Sequence, residues 1–232
     1  MANILLGVTG SVAAIRTPDL YSRLVQVGHT VKVVATSASL YFFDPGGLGL
    51  SDGRTGKRNP NFVVLDEDEW PGRGRGTRYQ RDDPVRHIEL RHWAELFLIA
   101  PLDANTLAKL AGGLADNCLT CVWRAWDAAR SVVLAPAMNT FMWEHPLTYA
   151  HLHQLASFAG ARSLPPEKNL DILLDRLNQA CRHLHIVPPQ SKRLACGDVG
   201  MGGLAELDSI VAAVEAMLNR PESLVMQEPR PG

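Results

Sequence analysis

No stretch of the chain approaches the roughly 20 consecutive apolar residues of a membrane span, so no membrane partner is expected. Cysteine is scarce, four in 232 residues, which excludes a disulfide scaffold and makes a reduced, cytoplasmic protein the expectation. The one close pair, Cys118 and Cys121, stands as a lone C-x-x-C. With no second ligand pair and no thioredoxin-like context it reads as two buried small residues, and no metal is expected. Excess charge is lacking too. The formal net charge is −1, so no general attraction to nucleic acid is implied. No basic n-region precedes the first apolar run, hence no signal peptide is expected. Linkers and internal repeats are also missing, and residues 1–220 read as one domain, with a flexible tail over 221–232.

What is present suits a globular core: 46% of residues are hydrophobic and 20% charged. Apolar β-branched runs at 3–8, 31–35, 96–100 and 131–135 read as strands. Between and after them come helical patterns at 11–27, 104–112, 116–128 and 147–158. Strands without polar alternation, separated by helices, predict an α/β fold: a parallel sheet with helices on both faces. Pro18 inside the first helical pattern predicts a kink or a late start. Two stretches break the rhythm. Residues 44–81, rich in Gly, Pro, Arg and Asp, read as a long surface loop. Residues 164–189 hold a helix-like piece at 169–183 before a short strand.

Strand one runs into Gly7-Val8-Thr9-Gly10-Ser11, followed at once by a helix. Glycine lets the backbone approach a ligand, and a helix start offers unpaired N–H groups to a phosphate. The loop is neither G-x-G-x-x-G nor a P-loop, since it lacks the lysine. A dinucleotide site would place Asp or Glu after strand two. Here Ala35-Thr36-Ser37-Ala38-Ser39 stands there, with hydroxyls that can donate to a phosphate monoester. That pairing favours a mononucleotide such as FMN over NAD, although an ordinary strand–helix turn has the same composition.

Later motifs narrow the chemistry. His87-Ile88-Glu89-Leu90 opens a helix before the strand at 96. Asp103-Ala104-Asn105-Thr106 follows that strand at the sheet edge where ligands bind, and Asn and Thr there can hydrogen-bond the uracil-like edge of a flavin. Asn139 lies between Met138 and Met142 after the strand at 131, an amide among apolar walls. Residues 194–206 form a glycine-dense segment around Cys196, which reads as a mobile flap able to deliver a proton.

Five motifs in this order carry a resemblance: Gly10-Ser11-Val12-Ala13-Ala14, His87-Ile88-Glu89-Leu90, Ala104-Asn105-Thr106-Leu107-Ala108-Lys109, Pro136-Ala137-Met138-Asn139 with Met142-Trp143, and Ala195-Cys196-Gly197-Asp198 with Gly200. Over residues 2–160 and 186–218 the chain resembles the homo-oligomeric flavin-containing cysteine decarboxylases, and among them those acting on 4′-phosphopantothenoylcysteine. The resemblance implies a three-layer flavodoxin-like (Rossmann-like) fold and a homotrimer, with FMN held between neighbouring subunits. It implies FMN-dependent decarboxylation of 4′-phosphopantothenoylcysteine to 4′-phosphopantetheine on the route to coenzyme A.

Roles follow from the same resemblance. His87 matches the catalytic base and Cys196 the proton donor of the flap. Asn139 matches the residue that grips the substrate carboxylate, with Met142, Ala195 and Gly197 beside it. Gly10, Ser11, Val12, Thr36, Ser39, Asp103, Ala104, Asn105, Thr106 and Ala137 fall where FMN is held. The implied cycle is redox-neutral. Oxidation at the thiol-bearing carbon creates a thioaldehyde, an electron sink beta to the carboxylate; loss of CO₂ gives an enethiolate; hydride return and a proton complete the product. The chain departs from the family pattern at Leu204, where Met is usual, and at Asp103, where Ser is common, and both irregular stretches are longer than expected. Two other readings accompany this one. Some relatives are inhibitory subunits of a protein phosphatase with long acidic tails, which this chain lacks. Others carry out oxidative peptidyl-cysteine decarboxylation or flavin prenylation; the peptide enzymes stop at the enethiol and lack the flap cysteine.

Overall fold

The computed structural model describes residues 1–50, 58–70, 72–161, 164, 167, 169–193 and 199–220. Six strands form one parallel sheet: β1 (Asn3–Val8), β2 (Thr30–Ala35), β3 (Val63–Leu65), β4 (Leu96–Leu102), β5 (Ser131–Pro136) and β6 (Leu184–Ile186). Their spatial order is β3-β2-β1-β4-β5-β6, the doubly wound Rossmann-type arrangement. Successive strand residues point to opposite faces, and both faces are buried. Leu5, Val34, Phe97, Ile99 and Leu134 enter one apolar cluster; Ile4, Leu6, Val33, Leu98 and Val133 enter the other.

Helices cover each face. The first face packs against α2 (Arg86–Trp93), α3 (Ala104–Gly112), α4 (Cys118–Ala125), α6 (Pro146–Phe158) and α7 (Leu170–Ala180). The second packs against α1 (Thr17–Gln26) and α8 (Leu207–Leu218). A short helix, α5 (Thr140–Trp143), follows β5, and the antiparallel pair β7 (Gln190–Arg193) and β8 (Val199–Gly203) stands apart from the main sheet. Among the described residues no helix is long and apolar enough to cross a membrane.

Expected and observed elements differ in instructive places. The helical pattern at 11–27 divides into a 3-10 segment, Val12–Arg16, and α1, because Pro18 has no N–H to donate and is tolerated only in a first helical turn. The pattern at 116–128 shortens to α4, whose start is fixed by Asn117 accepting from Thr120 N–H at 2.9 Å. The stretch 44–81, read as loop, contains β3 at the sheet edge. Three residues are too few for a periodic signal; what makes them a strand is pairing with Val33–Ala35.

Candidate active site

The strand order reverses between β1 and β4, with β2 and β3 on one side and β5 and β6 on the other. Two chain segments leave the sheet there in opposite directions and open a crevice at the carboxyl edge. One side chain ties its two walls together. Thr9, fully buried, donates its hydroxyl to the Pro101 carbonyl at 2.7 Å and accepts from the Asp103 N–H at 2.8 Å. The Gly10 turn is thereby held against the start of α3. A methyl group on Gly10 would lie 2.7 Å from the Ala38 methyl carbon, so the turn after β1 and the turn after β2 close only around glycine.

The crevice contains a cavity of about 540 Å³, within the range of small-molecule sites. One end is the start of the Val12–Arg16 segment, lined by Gly10, Ser11, Val12 and Arg16. Asp103, Ala104 and Asn105 line the wall after β4; Ala137, Met138, Asn139 and Met142 line the wall after β5. The fourth side is the end of β8, where Gly202, Gly203 and Leu204 lie. That strand is pinned by the Met138 N–H donating to the Gly202 carbonyl at 2.9 Å. Gly202 has φ +125°, and a side chain there would come within 2.3 Å of the Met138 oxygen, so only glycine permits this approach.

Nine of the expected site residues therefore meet around one cavity: Gly10, Ser11, Val12, Asp103, Ala104, Asn105, Ala137, Asn139 and Met142. Ser11 accepts from Ala13 N–H at 3.3 Å and caps the segment it starts. Asp103, at the position where Ser is common, accepts from Thr106 N–H at 2.8 Å and caps α3. Asn139 caps α5 by accepting from Phe141 N–H at 2.9 Å.

Thr36, Ser39 and Thr106 are buried behind the lining. Ser39 donates its hydroxyl to the Thr36 carbonyl at 2.7 Å. The Thr36 hydroxyl is buried with no hydrogen-bond partner among the described residues. Cys196, Ala195 and Gly197 lie outside the described residues; the strands β7 and β8 that flank them pair as an antiparallel hairpin.

His87 is not part of this lining. It sits in the first turn of α2, and its Nδ1 is hydrogen-bonded to Glu69. Cys121 completes a trio with them, the ligating atoms all lying within 4.8 Å of one another. Burial first, then Glu69, pushes the Cys121 thiol up, and its Sγ donates to the Ala115 carbonyl at 3.5 Å.

Sequence reasoning missed Arg16, Phe42, Gly202 and Glu69. Arg16 is the last residue of the five-residue 3-10 segment that Ser11 caps, and a basic residue so soon after the glycine turn could have signalled it. Glu69 belongs to the acidic run Asp66-Glu67-Asp68-Glu69, which reads as a solvated surface.

The residues fit FMN on their own chemistry. The cavity offers a helix start and a hydroxyl at one end, apolar walls from Ala104, Ala137 and Met138, and the polar edge of Asn105. An orphaned buried hydroxyl, Thr36, lies in the neighbouring turn.

Comparison with known proteins bears on the same cavity. A profile of the Flavoprotein family matches residues 1–219. Phosphopantothenoylcysteine decarboxylase of Mus musculus is 42% identical over 222 residues, covering 95% of this chain and 89% of that protein. The enzyme of the same name from Oryza sativa subsp. japonica is 41% identical over 217 residues, covering 94% of this chain and 81% of its own length. Among solved structures, a cysteine-to-serine mutant of PPC decarboxylase complexed with pantothenoylaminoethenethiol superposes with a TM-score of 0.70 at 39% identity, covering 94% of this chain and 98% of that one. The FMN binding protein AtHal3 gives 0.65 at 40% identity, covering 92% and 95%.

Proposed function

Because this chain belongs to the Flavoprotein family, we propose that it catalyses the FMN-dependent decarboxylation of 4′-phosphopantothenoylcysteine to 4′-phosphopantetheine. The observation that carries this reading is the cavity at the β1/β4 switch point, built from Ser11, Asn105, Ala137 and Asn139.

FMN, when bound, supplies a two-electron acceptor that makes the thiol-bearing carbon of the substrate an electron sink and then gives the electrons back. The chain's own residues do the rest. Ser11 and the N–H groups at the start of the Val12–Arg16 segment would hold the phosphate of FMN, where a helix start favours negative charge. The Thr36 hydroxyl, in the turn after β2, is buried with no hydrogen-bond partner among the described residues. Asn105 would hold the polar edge of the ring, with Ala104, Ala137 and Met138 as apolar walls. Asn139 holds the substrate carboxylate next to Met142, which keeps the scissile bond in place and shields it from water. His87 takes the proton that leaves the substrate, and Cys196 gives the proton that completes the product. The enethiol ligand in the cysteine-to-serine mutant of the relative supports an enethiol on this path.

His87 does not line its own chain's cavity, which supports a base supplied to the site by a neighbouring copy. Exposed apolar side chains at the cavity, Val12, Ile15 and Met142, with Phe141 beside them, support a covering subunit, and the assembly proposed is a homotrimer. The same reading places the protein in the cytoplasm, in keeping with free thiols at Cys118, Cys121 and Cys181.

Mass spectrometry of the cofactor released from purified protein tests the reading, together with CO₂ release from 4′-phosphopantothenoylcysteine. One FMN per chain with CO₂ release is expected. FAD, or no flavin, would overturn it.

A further inference from the structure

The segment between β3 and α2 brings in a carboxylate that the reaction as described leaves unused. Glu69 is only 2% exposed. Its Oε1 is hydrogen-bonded to His87 Nδ1; its Oε2 is buried, with the Cys118 thiol of α4 placed to donate to the carboxylate. The groups around it offer no permanent cation. Cys118 and Cys121 face it from α4, and burial, followed by Glu69 itself, pushes both thiols up, so they meet the carboxylate in the protonated form. Asp66 lies on its own segment and acts on the same thiols. Arg86, next to His87 on α2, pairs with Glu89, and Arg58 pairs with Asp68 and Glu67. Among the described residues the one ion-pair partner of Glu69 is His87.

A buried carboxylate with no cation beside it costs stability unless something else compensates. Burial on this scale, aimed at one ring nitrogen of a histidine, is the arrangement that fixes a ring's tautomer and orientation. We infer that Glu69 is the positioning residue for His87, resting on the reading of His87 as the base. The carboxylate accepts the Nδ1–H, so the lone pair sits on Nε2, at the edge of a side chain that is 18% exposed. Nε2 then takes the proton from the substrate, and the imidazolium so formed lies against the carboxylate that balances its charge. Protonated Glu69 donating to Nδ1 would be the opposite arrangement. It would put the ring proton on Nε2 and leave no base there.

The test uses ¹⁵N-histidine-labelled holoenzyme. The eight histidines give overlapping signals, and His87 is identified by its loss in His87→Asn. The wild-type ring is expected to carry its proton on Nδ1. In Glu69→Gln the amide can donate as well as accept, so the Nε2–H tautomer gains population. Turnover (kcat) should fall at least about tenfold while KM and FMN content stay within about twofold. Glu69→Asp keeps the charge and should recover part of both signatures. An Nε2–H ring in the wild type overturns the assignment, as does Glu69→Gln with unchanged tautomer and kcat. If Glu69→Gln does not fold, the wild-type spectrum and Glu69→Asp still decide. Failure of the underlying reading looks different: His87→Asn would then turn over normally, whatever the tautomer.

Discussion

Gly10 is where the site tolerates least. An added methyl group would meet the Ala38 methyl carbon at 2.7 Å and the Asp103 carboxylate at 3.3 Å, two fixed groups on different turns. Gly10→Ala should therefore displace the turn that meets the phosphate and weaken FMN binding about tenfold or more, about 1.4 kcal/mol. Gly47→Ala is the matched control, because a side chain there meets nothing within 4 Å. Fluorescence titration of apoprotein with FMN checks both; equal affinity for the two variants would contradict the account. At this scale much of the site was legible in the sequence. Gly10, Ser11, Asn105 and Asn139 stand in turns directly after strands, where local sequence and position at the sheet edge agree. Glu69 was not legible. Its neighbours Glu67 and Asp68 do face solvent or Arg58, and only the tertiary path of the segment turns Glu69 inward. Thr36 and Ser39 were legible as hydroxyls, but the sequence could not show that Ser39 bonds its own turn.

Among the elements, the carboxyl ends of β1 and β4 are tied beyond their ladder by the Thr9 hydroxyl and by the Thr9 N–H, which donates to the Pro101 carbonyl at 3.3 Å. Thr9→Val keeps shape but removes the buried hydroxyl donor to Pro101, whose carbonyl keeps the Thr9 N–H, and leaves the part-buried Asp103 N–H without its acceptor. Leaving such a group unsatisfied costs about 1–3 kcal/mol. A urea titration should show that loss as a lower midpoint with unchanged slope, and FMN affinity should fall with it. An unchanged midpoint would mean that the two walls are held by something else. The central strands were readable as elements because burial on both faces leaves continuous apolar runs. β3 was not, since an edge strand of three residues carries no period and is specified by its partner β2. The late start of α1 was foreshadowed by Pro18, whose ring dictates where regular helix can begin.

For the molecule as a whole, two cores on opposite faces of one sheet leave the carboxyl edge open, with apolar side chains exposed around the cavity and His87 outside it. Those features predict that single chains are incomplete as catalysts. Light scattering should give a mass near three times 25.4 kDa. A stable monomer that turns over substrate would contradict the shared site and require His87 to act within its own chain. Assembly of this kind is not written in strand and helix periodicity; it entered the sequence reading only through the five-motif resemblance.

The central claim is a complete, redox-neutral cycle in which the substrate loses CO₂ and regains both electrons and a proton, the last from Cys196. Mass analysis of the product formed by wild type and by Cys196→Ser tests it most directly. Serine is nearly the size of cysteine but a far weaker acid. Wild type should release 4′-phosphopantetheine, and Cys196→Ser should give the enethiol, lighter by two hydrogens, after a single turnover. Enethiol from the wild type, or 4′-phosphopantetheine from Cys196→Ser at the wild-type rate, would contradict the account.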